Sequence, residues 1–198
     1  DRPDCLNEAH AFMYADDTAL VVSSKSLNNA KKTINKELQY ISRWFESNRL
    51  SLNTNITEFI IFRSPFKKKT FEEPCHITIG HNKIEKVDSV LYLGVTLDSA
   101  LNWKPHIDRL CGKLSSACFV LTKARSHFNF ETLRTLYFCV VHSHLAYCIE
   151  AWGFSSKTYL EPVVRLQKRA LWTINYASFA TPSRSLFLAN KFMPLSHL

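Results

Sequence analysis

The chain has 198 residues, a mass of 22.9 kDa and 46% hydrophobic residues, with only 4 Gly and 7 Pro. This composition is globular, with enough apolar residues for one good core or two small ones, and it excludes a disordered chain. The formal charge of +8 favours a polyanionic partner, nucleic acid before membrane because no amphipathic anchor stands out, and no apolar run approaches membrane-spanning length. Since the chain starts at Asp1 without Met or a signal segment, we expect a fragment of an intracellular protein of the cytoplasm or nucleus, not secreted.

The six cysteines contain no Cys-x-x-Cys pair, so a zinc ribbon or knuckle is not expected. Cys111 and Cys118 lie two helical turns apart on an apolar face, and we interpret them as reduced core residues. His144 and Cys148 have the i, i+4 spacing of metal ligands, but without two more ligands this spacing favours core packing. No disulfide-linked partner is therefore expected.

Two adjacent carboxylates, Asp16 and Asp17, stand between two apolar runs. The runs, Ala9 to Tyr14 and Thr18 to Val22, predict a β-hairpin that presents both acids at its turn. Mg²⁺ prefers carboxylate oxygens and keeps the rest of its shell for water and substrate phosphates, so an acidic hairpin suits a phosphoryl-transfer centre. Asp is also a common turn residue, and the pair alone does not decide between the two interpretations.

The segment after the hairpin has helical and then strand-like patterns. Apolar residues from Leu27 to Phe45 recur at helical spacing, with Ser26 as the predicted N-cap and Asn48 as a left-handed stop. The predicted strands are Leu50 to Leu52, Glu58 to Phe62, His76 to Ile79, Lys83 to Val87 and Val90 to Leu97, with a turn at Gly80 to Asn82 and an exposed loop at Lys67 to Lys69. Together with the hairpin they make an α+β unit.

From Trp103 onward the pattern becomes helical. Pro105 suits the first position of a helix, and its apolar stripe is Ile107, Leu110, Leu114, Ala117, Leu121 and Ala124. The second predicted helix carries Leu133, Leu136, Val140, Val141, Leu145 and Cys148, and the third carries Leu160, Val163, Leu166, Ala170 and Ile174. The short polar links between them indicate antiparallel neighbours in a bundle.

Several segments follow one another in a distinctive order. They are Tyr14-Ala15-Asp16-Asp17, Trp44 to Asn53, Tyr92 to Asp98 (with Leu-Gly-Val), Leu145-Ala146-Tyr147, Trp152-Gly153 and Gln167 to Ala170. This order resembles the reverse transcriptase of non-LTR (LINE-type) retrotransposons, of the group that includes jockey-like elements, over nearly the whole chain. Retroviral and intron-type reverse transcriptases share the two-Asp hairpin, but the Trp44 to Asn53 and Leu-Gly-Val segments fit the retrotransposon group better.

The resemblance implies a partial polymerase palm in residues 1–73, palm–thumb junction strands in 74–98, and a helical thumb with its continuation in 99–198. The implied fold class is α+β, with a β-hairpin, a covering helix and short antiparallel strands followed by an α-helical thumb bundle. The resemblance also implies catalytic and metal-ligating roles for Asp16 and Asp17, with Mg²⁺ as the metal of the intact parent and Mn²⁺ as a substitute. It assigns to the region of the primer terminus Tyr14, Ala15, Leu91, Tyr92, Leu93 and Gly94.

Basic residues on two predicted helices are candidates for contacts with a nucleic-acid backbone. Arg109, Lys113 and Lys123 share the polar side of the first thumb helix with Ser116, and Arg165, Lys168 and Arg169 lie on the third. Each phosphate contact would add salt-dependent affinity, yet a solvated helix face has the same pattern. Trp172 can stack on a base, but we favour the role of a half-buried core residue.

The chain also departs from the family. The third metal-binding Asp of the family lies in an upstream segment that is absent here, together with the fingers, and Asp4 is a poor substitute. Ile56 stands where the family usually has a Lys suited to neutralise the departing pyrophosphate. We therefore expect a fragment that does not polymerise alone. Its parent would add deoxynucleoside triphosphates to a DNA primer on an RNA template by two-metal nucleotidyl transfer. The alternative is a non-catalytic basic nucleic-acid-binding module or a retrotransposon relic.

Overall fold

The computed structural model describes residues 6–63 and 76–198. Contacts divide the chain into two compact units, Asp1–Gly94 and Val95–Leu198. The first unit combines strands with one long helix and the second is mostly helical, so the predicted α+β class is confirmed. Within the described ranges, no helix has both the length and the apolar character needed to cross a membrane. Asp4 and the predicted loop at Lys67 to Lys69 lie outside the described residues.

The first unit begins with the predicted hairpin and the predicted long helix, but the helix packs on the second sheet of the unit rather than covering the hairpin. Strands β1 (His10–Tyr14) and β2 (Asp17–Val21) pair antiparallel, and helix α1 (Leu27–Ser47) follows. Ser26 is at the N-cap position, but its side chain makes no capping hydrogen bond. The left-handed stop predicted at Asn48 is wrong, because Asn48 has φ −91° and the positive φ belongs to Arg49 at 57°. Asn48 instead ends the helix through its side-chain amide, which donates to the Trp44 carbonyl at 2.8 Å.

Three short strands form a second sheet in this unit, in the order β3 (Glu58–Phe59), β5 (Asn82–Lys86) and β4 (Ile77–Ile79). The β4–β5 hairpin is antiparallel as predicted, but β3 pairs parallel to β5, which corrects the expectation of antiparallel strands only. A small core joins one face of this sheet to α1, and its members are Ile77, Ile79, Ile84, Ile34, Leu38, Leu52 and Phe59.

Two strand predictions in the first unit are wrong, one entirely and one in its length. Leu50 to Leu52 is not a strand, and the strand predicted at Glu58 to Phe62 covers only its first two residues. The reason is local, because Asn53 organises a turn between them. Its side chain accepts from the Asn55 backbone N–H at 3.2 Å, and its carbonyl accepts from the Thr57 hydroxyl at 2.9 Å. Such Asx turns compete with strand pairing for backbone groups.

The single strand predicted at Val90 to Leu97 is also wrong. Strand β6 (Ser89–Tyr92) is the last strand of the first unit, and β7 (Val95–Asp98) is the first of the second. Leu93 and Gly94 between them have φ of 45° and 80°, a left-handed conformation that no strand can continue through.

The second unit is built around two long helices, α2 (Lys104–Ala124) and α6 (Lys157–Ile174), which pack against each other. The shorter elements are α3 (Phe130–Tyr137), a π-helical turn (Phe138–His142), α4 (Ser143–Ala146), α5 (Ile149–Trp152), α7 (Ser183–Ala189) and a 3₁₀ turn (Leu195–His197). All six residues of the stripe predicted for α2 are buried in one core. Pro105 is the second residue of α2 rather than the first.

The second predicted helix is interrupted. It passes through the π-helical turn and ends before Cys148, which has φ 50° and is exposed, so the prediction that Cys148 packs in the core is wrong. The other cysteine prediction is confirmed, because Cys111 and Cys118 are free thiols packed in or against the core. Burial raises the pKa of both thiols, and the Cys118 thiol donates to the Leu166 carbonyl at 3.5 Å.

Candidate functional site

The hairpin carries Asp16 and Asp17 to its exposed end. Ala15 and Asp16 form the turn, and Asp17 is the first residue of β2, directly opposite Tyr14. Ala15 has φ 51°, the left-handed conformation that two-residue hairpin turns require at a central position and that a residue with a Cβ adopts at a cost of about 1 kcal/mol or more. Both carboxylates are exposed, so the predicted acidic hairpin is confirmed. The catalytic and metal-ligating roles stay predictions.

One face of the hairpin is apolar and open. Residues that are paired across two strands, or that are two apart along one strand, project from the same face, which places Tyr14, Phe12 and Val21 on the face of Asp17. Their exposed fractions are 68%, 55% and 45%. Asp17 therefore lies at the edge of an exposed aromatic surface rather than in a closed pocket.

The donor set at the turn fits a hard divalent cation in type but not in number. Carboxylate oxygens are the ligands that Mg²⁺ takes from proteins, and two adjacent ones are available here. In residues 6–63 and 76–198, however, no group of three His, Cys, Asp or Glu side chains is placed to hold a metal ion. Asp16 and Asp17 can thus form part of a metal site, which other ligands must complete.

The residues assigned to the primer terminus fall into two places. Tyr14 and Ala15 belong to the acidic hairpin, whereas Leu91 and Tyr92 lie in β6. Among the residues that the structure describes, the sheet of β1 and β2 contains these two strands only, and β6 is not paired with the hairpin. The assignment of Leu91 to Gly94 to the primer terminus stays a prediction.

The basic residues predicted on the first thumb helix lie along the exposed side of α2. Arg109, Lys113 and Lys123 are all exposed, and no carboxylate of the described residues pairs with them. The one acid of α2, Asp108, is paired with Lys104 instead. The ammonium of Lys123 lies 5.6 Å from the ring centroid of the exposed Phe119. This side of α2 is therefore positive, with an aromatic ring on its surface.

The basic residues of α6 belong to the same unit. Arg165 and Arg169 are exposed, and Lys168 is half-buried. Trp172 is half-buried, and its indole N–H donates to the Thr181 carbonyl at 2.9 Å. The predicted half-burial of Trp172 is therefore confirmed, and its ring packs edge-on against that of Phe179 at 5.4 Å.

Helix α2 also carries a buried histidine, His106. His106 is 7% exposed, its Nδ1 accepts from the Thr96 backbone N–H at 3.3 Å, and its ring lies 5.7 Å from that of Trp152. Burial, and after it the positive charges of Lys113 and Arg109, lower the pKa of His106. Burial and Lys113 lower the pKa of His144 as well. Both histidines thus favour the neutral form.

Asp98, the last residue of the Tyr92 to Asp98 motif, has a structural role. The carboxylate of Asp98 is 6% exposed and accepts three backbone N–H groups, from Ala100 at 3.2 Å, Asn102 at 3.1 Å and Trp103 at 2.9 Å. It thereby holds the turn that leads into α2, where Trp103 has φ 67°. A carboxylate with three backbone donors is stable when buried. Asp98 therefore has a structural role at the end of the Leu-Gly-Val segment.

The Trp-Gly motif also has a packing reason. Trp152 is fully buried, and its indole N–H donates to the Tyr147 carbonyl at 2.9 Å. A Cβ on Gly153 would lie 2.6 Å from the Ile149 carbonyl oxygen, a distance that does not occur without displacement. Gly153 is therefore required by the tight turn at the end of α5, where its own N–H donates to the Ile149 carbonyl at 2.7 Å.

Sequence reasoning missed one acid of the first unit. Glu37 is fully buried on α1, and its carboxylate accepts the backbone N–H groups of Asn7 at 3.0 Å and Glu8 at 3.3 Å. The signal was present, because Glu37 lies within the apolar stripe of Ile34, Leu38 and Ile41. A charged residue in such a stripe indicates a buried polar contact.

Comparison with known proteins gives similarity over most of the chain. The RNA-directed DNA polymerase from the mobile element jockey of Drosophila funebris is 24% identical over 176 residues, which are 87% of this chain and 19% of that protein. The probable RNA-directed DNA polymerase from transposon BS of Drosophila melanogaster is 27% identical over 165 residues, 81% of this chain and 18% of that protein. The RNA-directed DNA polymerase from the mobile element jockey of Drosophila melanogaster is 23% identical over 177 residues, which are 87% of this chain and 19% of that protein.

The predicted resemblance is confirmed by these relatives: the chain is similar to the RNA-directed DNA polymerases of jockey-type non-LTR retrotransposons. It spans about a fifth of the length of the curated relatives it matches. No family model matches the chain, and no solved structure was found to match it.

Proposed function

We propose that this chain is part of an RNA-directed DNA polymerase of a non-LTR retrotransposon. It would comprise the end of the palm in residues 1–73, junction strands in 74–98 and a helical thumb in 99–198. The observation that carries the proposal is the exposed Asp16–Asp17 hairpin in a chain of which 81–87% aligns with such polymerases. The change from a mixed unit to a helical one at Gly94 is compatible with a palm followed by a thumb.

In this proposal Asp16 and Asp17 supply two carboxylates to a divalent-metal site, and further ligands come from elsewhere in a longer parent. The bound Mg²⁺ would activate the primer hydroxyl and stabilise the leaving pyrophosphate. Tyr14 and Ala15 shape the surface beside the carboxylates, because Tyr14 stands opposite Asp17 in the strand pairing. Among the described residues, only these two carboxylates stand at the turn, and we expect the chain by itself to be inactive.

The helical unit would bind the backbone of the template–primer. Arg109, Lys113 and Lys123 offer positive charges that no described carboxylate neutralises, so they are available for phosphates. Arg165, Lys168 and Arg169 on α6 are the second set. The proposed partners are an RNA template and a DNA primer, with deoxynucleoside triphosphates as substrates of the parent.

Metal binding by the hairpin can be tested by NMR. Mn²⁺ should broaden the amide signals of Tyr14 to Thr18 in the full chain, and Asp16→Ala with Asp17→Ala should abolish the broadening. Asp88→Asn removes another exposed acid of the first unit and should leave the broadening unchanged. Absence of local broadening in the wild-type chain would refute the metal role of the hairpin.

A polymerase assay tests whether the site is complete. The purified chain, with an RNA template, a DNA primer and Mg²⁺ or Mn²⁺, should show no template-dependent incorporation. Extension that disappears in Asp16→Ala would show that the chain holds a full active site after all.

Binding to an RNA–DNA hybrid tests the thumb assignment. Fluorescence anisotropy should show affinity that falls steeply with salt, and Lys113→Gln should lower the slope of log affinity against log salt by about one. Lys157→Gln removes an exposed charge outside the predicted set and should leave the slope nearly unchanged. Equal effects of both variants would favour an unspecific basic surface, which is also what the non-catalytic binding module predicts.

A further inference from the structure

A buried carboxylate on α1 holds the stretch of chain that leads into the acidic hairpin. The two oxygens of Glu37 accept from consecutive backbone N–H groups, those of Asn7 and Glu8, immediately before Ala9 and β1. One helical turn earlier on α1, the hydroxyl of Thr33 donates to the Glu8 carboxylate at 3.3 Å. Residues 7 and 8 are thus hydrogen-bonded to two successive turns of one helix.

The hairpin needs such an attachment. A two-stranded antiparallel ribbon is marginally stable by itself and requires packing against another element. The sheet of β1 and β2 has no third strand among the described residues, and the face with Phe12 and Tyr14 is exposed. Hydrogen bonds from backbone N–H groups to an ionised carboxylate are roughly twice as strong as those between neutral groups. The contacts of Glu37 are therefore suited to fix the hairpin on α1.

Glu37 itself is not a candidate metal ligand. Its side chain is fully buried, and both oxygens are already engaged with backbone donors. Its effect on Asp16 and Asp17 must therefore pass through the backbone of residues 7 to 17.

We propose that Glu37 is the positioning residue of the acidic hairpin, which sets where Asp16 and Asp17 stand relative to α1. The inference rests on the proposed function for what the hairpin binds, while the attachment of the hairpin to α1 can be measured without any metal.

Hydrogen exchange of the full chain tests the attachment in Glu37→Gln. Gln keeps the size and one acceptor oxygen, but its amide group places a donor against a backbone donor. The amides of Asn7, Glu8 and the β1–β2 ladder should exchange about tenfold faster or more, as expected for the loss of a charge-assisted hydrogen bond. The amides of Ile41 and Phe45 on α1 should keep their protection.

Two further variants make the test decisive. Glu46→Gln removes an exposed acid of the same helix and should leave exchange in the hairpin unchanged. Thr33→Val removes the donor to Glu8 and should accelerate hairpin exchange by a smaller factor, which serves as the test where Glu37→Gln does not fold. Unchanged hairpin exchange in a folded Glu37→Gln variant overturns the proposal. If Glu37→Gln does not fold, unchanged hairpin exchange in Thr33→Val overturns it.

Mn²⁺ broadening separates this inference from the proposed function. Where the wild-type chain binds Mn²⁺ at Tyr14 to Thr18, Glu37→Gln should weaken that binding severalfold and Glu46→Gln should not. Unaltered Mn²⁺ affinity with accelerated exchange would overturn the positioning role. Absence of broadening in the wild type would refute the metal function, and the exchange data would still decide whether Glu37 attaches the hairpin.

Discussion

The two units of the chain differ in how far their own residues bury their apolar side chains. The second unit has a continuous core of nineteen buried residues, among them Trp152 and Tyr137 at 0% exposure. In the described part of the first unit, the sheet core has three buried isoleucines, and the hairpin leaves Phe12 and Tyr14 open. The helical unit is therefore stabilised by packing, whereas the acidic hairpin depends on particular hydrogen bonds.

The largest expected effect is in the core of the second unit. Leu121→Ala removes a side chain with 0% exposure and should lower the free energy of unfolding by about 3 kcal/mol. Val120→Ala, on the exposed side of the same helix, should change it by less than about 0.5 kcal/mol. Urea titrations followed by circular dichroism give both values. Similar costs for the two variants would break the comparison, because the core would then not be the source of stability.

A pair of glycine substitutions should have opposite signs. Gly153→Ala places a Cβ 2.6 Å from the Ile149 carbonyl oxygen and should destabilise by about 1–3 kcal/mol. Gly112→Ala, within α2, meets nothing within 4 Å and should stabilise by about 0.8–1 kcal/mol. Thermal unfolding of the two variants measures the difference. A gain in stability from Gly153→Ala would contradict the tight turn at the end of α5.

The stability of the second unit should fall in mild acid. Because burial and two neighbouring cations lower the pKa of His106, the unfolded chain binds more protons than the folded one near pH 6. Stability is therefore complete above the unfolded pKa of about 6.5 and is lost as the pH falls below it. His106→Gln should flatten this dependence in urea titrations at pH 7.5 and 5.5. His127→Gln, at an exposed histidine, is the control, and an unchanged slope in His106→Gln would contradict the assignment.

The smallest expected effect is on the open face of the hairpin. Phe12→Thr should change the free energy of unfolding by less than about 0.5 kcal/mol, because the ring is 55% exposed and Thr suits a strand. The variant should raise solubility, since it removes a large exposed apolar group. Sedimentation and concentration-dependent light scattering check this. A loss of stability as large as that of Leu121→Ala would show that the hairpin face is covered by the protein's own residues.

The sequence predicted the elements whose signal is a repeated pattern. The stripe from Ile107 to Ala124 and the alternation of Ile77, Ile79 and Ile84 each define one buried face, because helices and strands have fixed periods. The acidic turn was predictable because apolar runs flank it on both sides. The similarity to retrotransposon polymerases followed from the order of short motifs.

Three of the errors fall where a residue with unusual backbone conformation overrides the pattern. Leu93, Arg49 and Cys148 all have positive φ, although none of them is Gly, and each ends or divides an element that was predicted differently. Periodicity contains no information about such residues, because the surrounding structure imposes their conformation. Glu37 was missed for a related reason: its partners are backbone groups 29 and 30 residues away.

By itself the sequence determined the α+β class, the acidic hairpin, the positive charge of the helices and the family that the chain resembles, because these depend on local pattern and composition. Only the tertiary structure decided that Asp98 and Trp152 are packing residues and that Gln167 holds the end of the chain. The side-chain amide of Gln167 bonds Tyr137, the Met193 carbonyl and the Leu195 N–H at 3.0–3.2 Å. These roles depend on groups brought together from distant positions, and the free energy of burying a polar side chain is favourable only once those partners are in place.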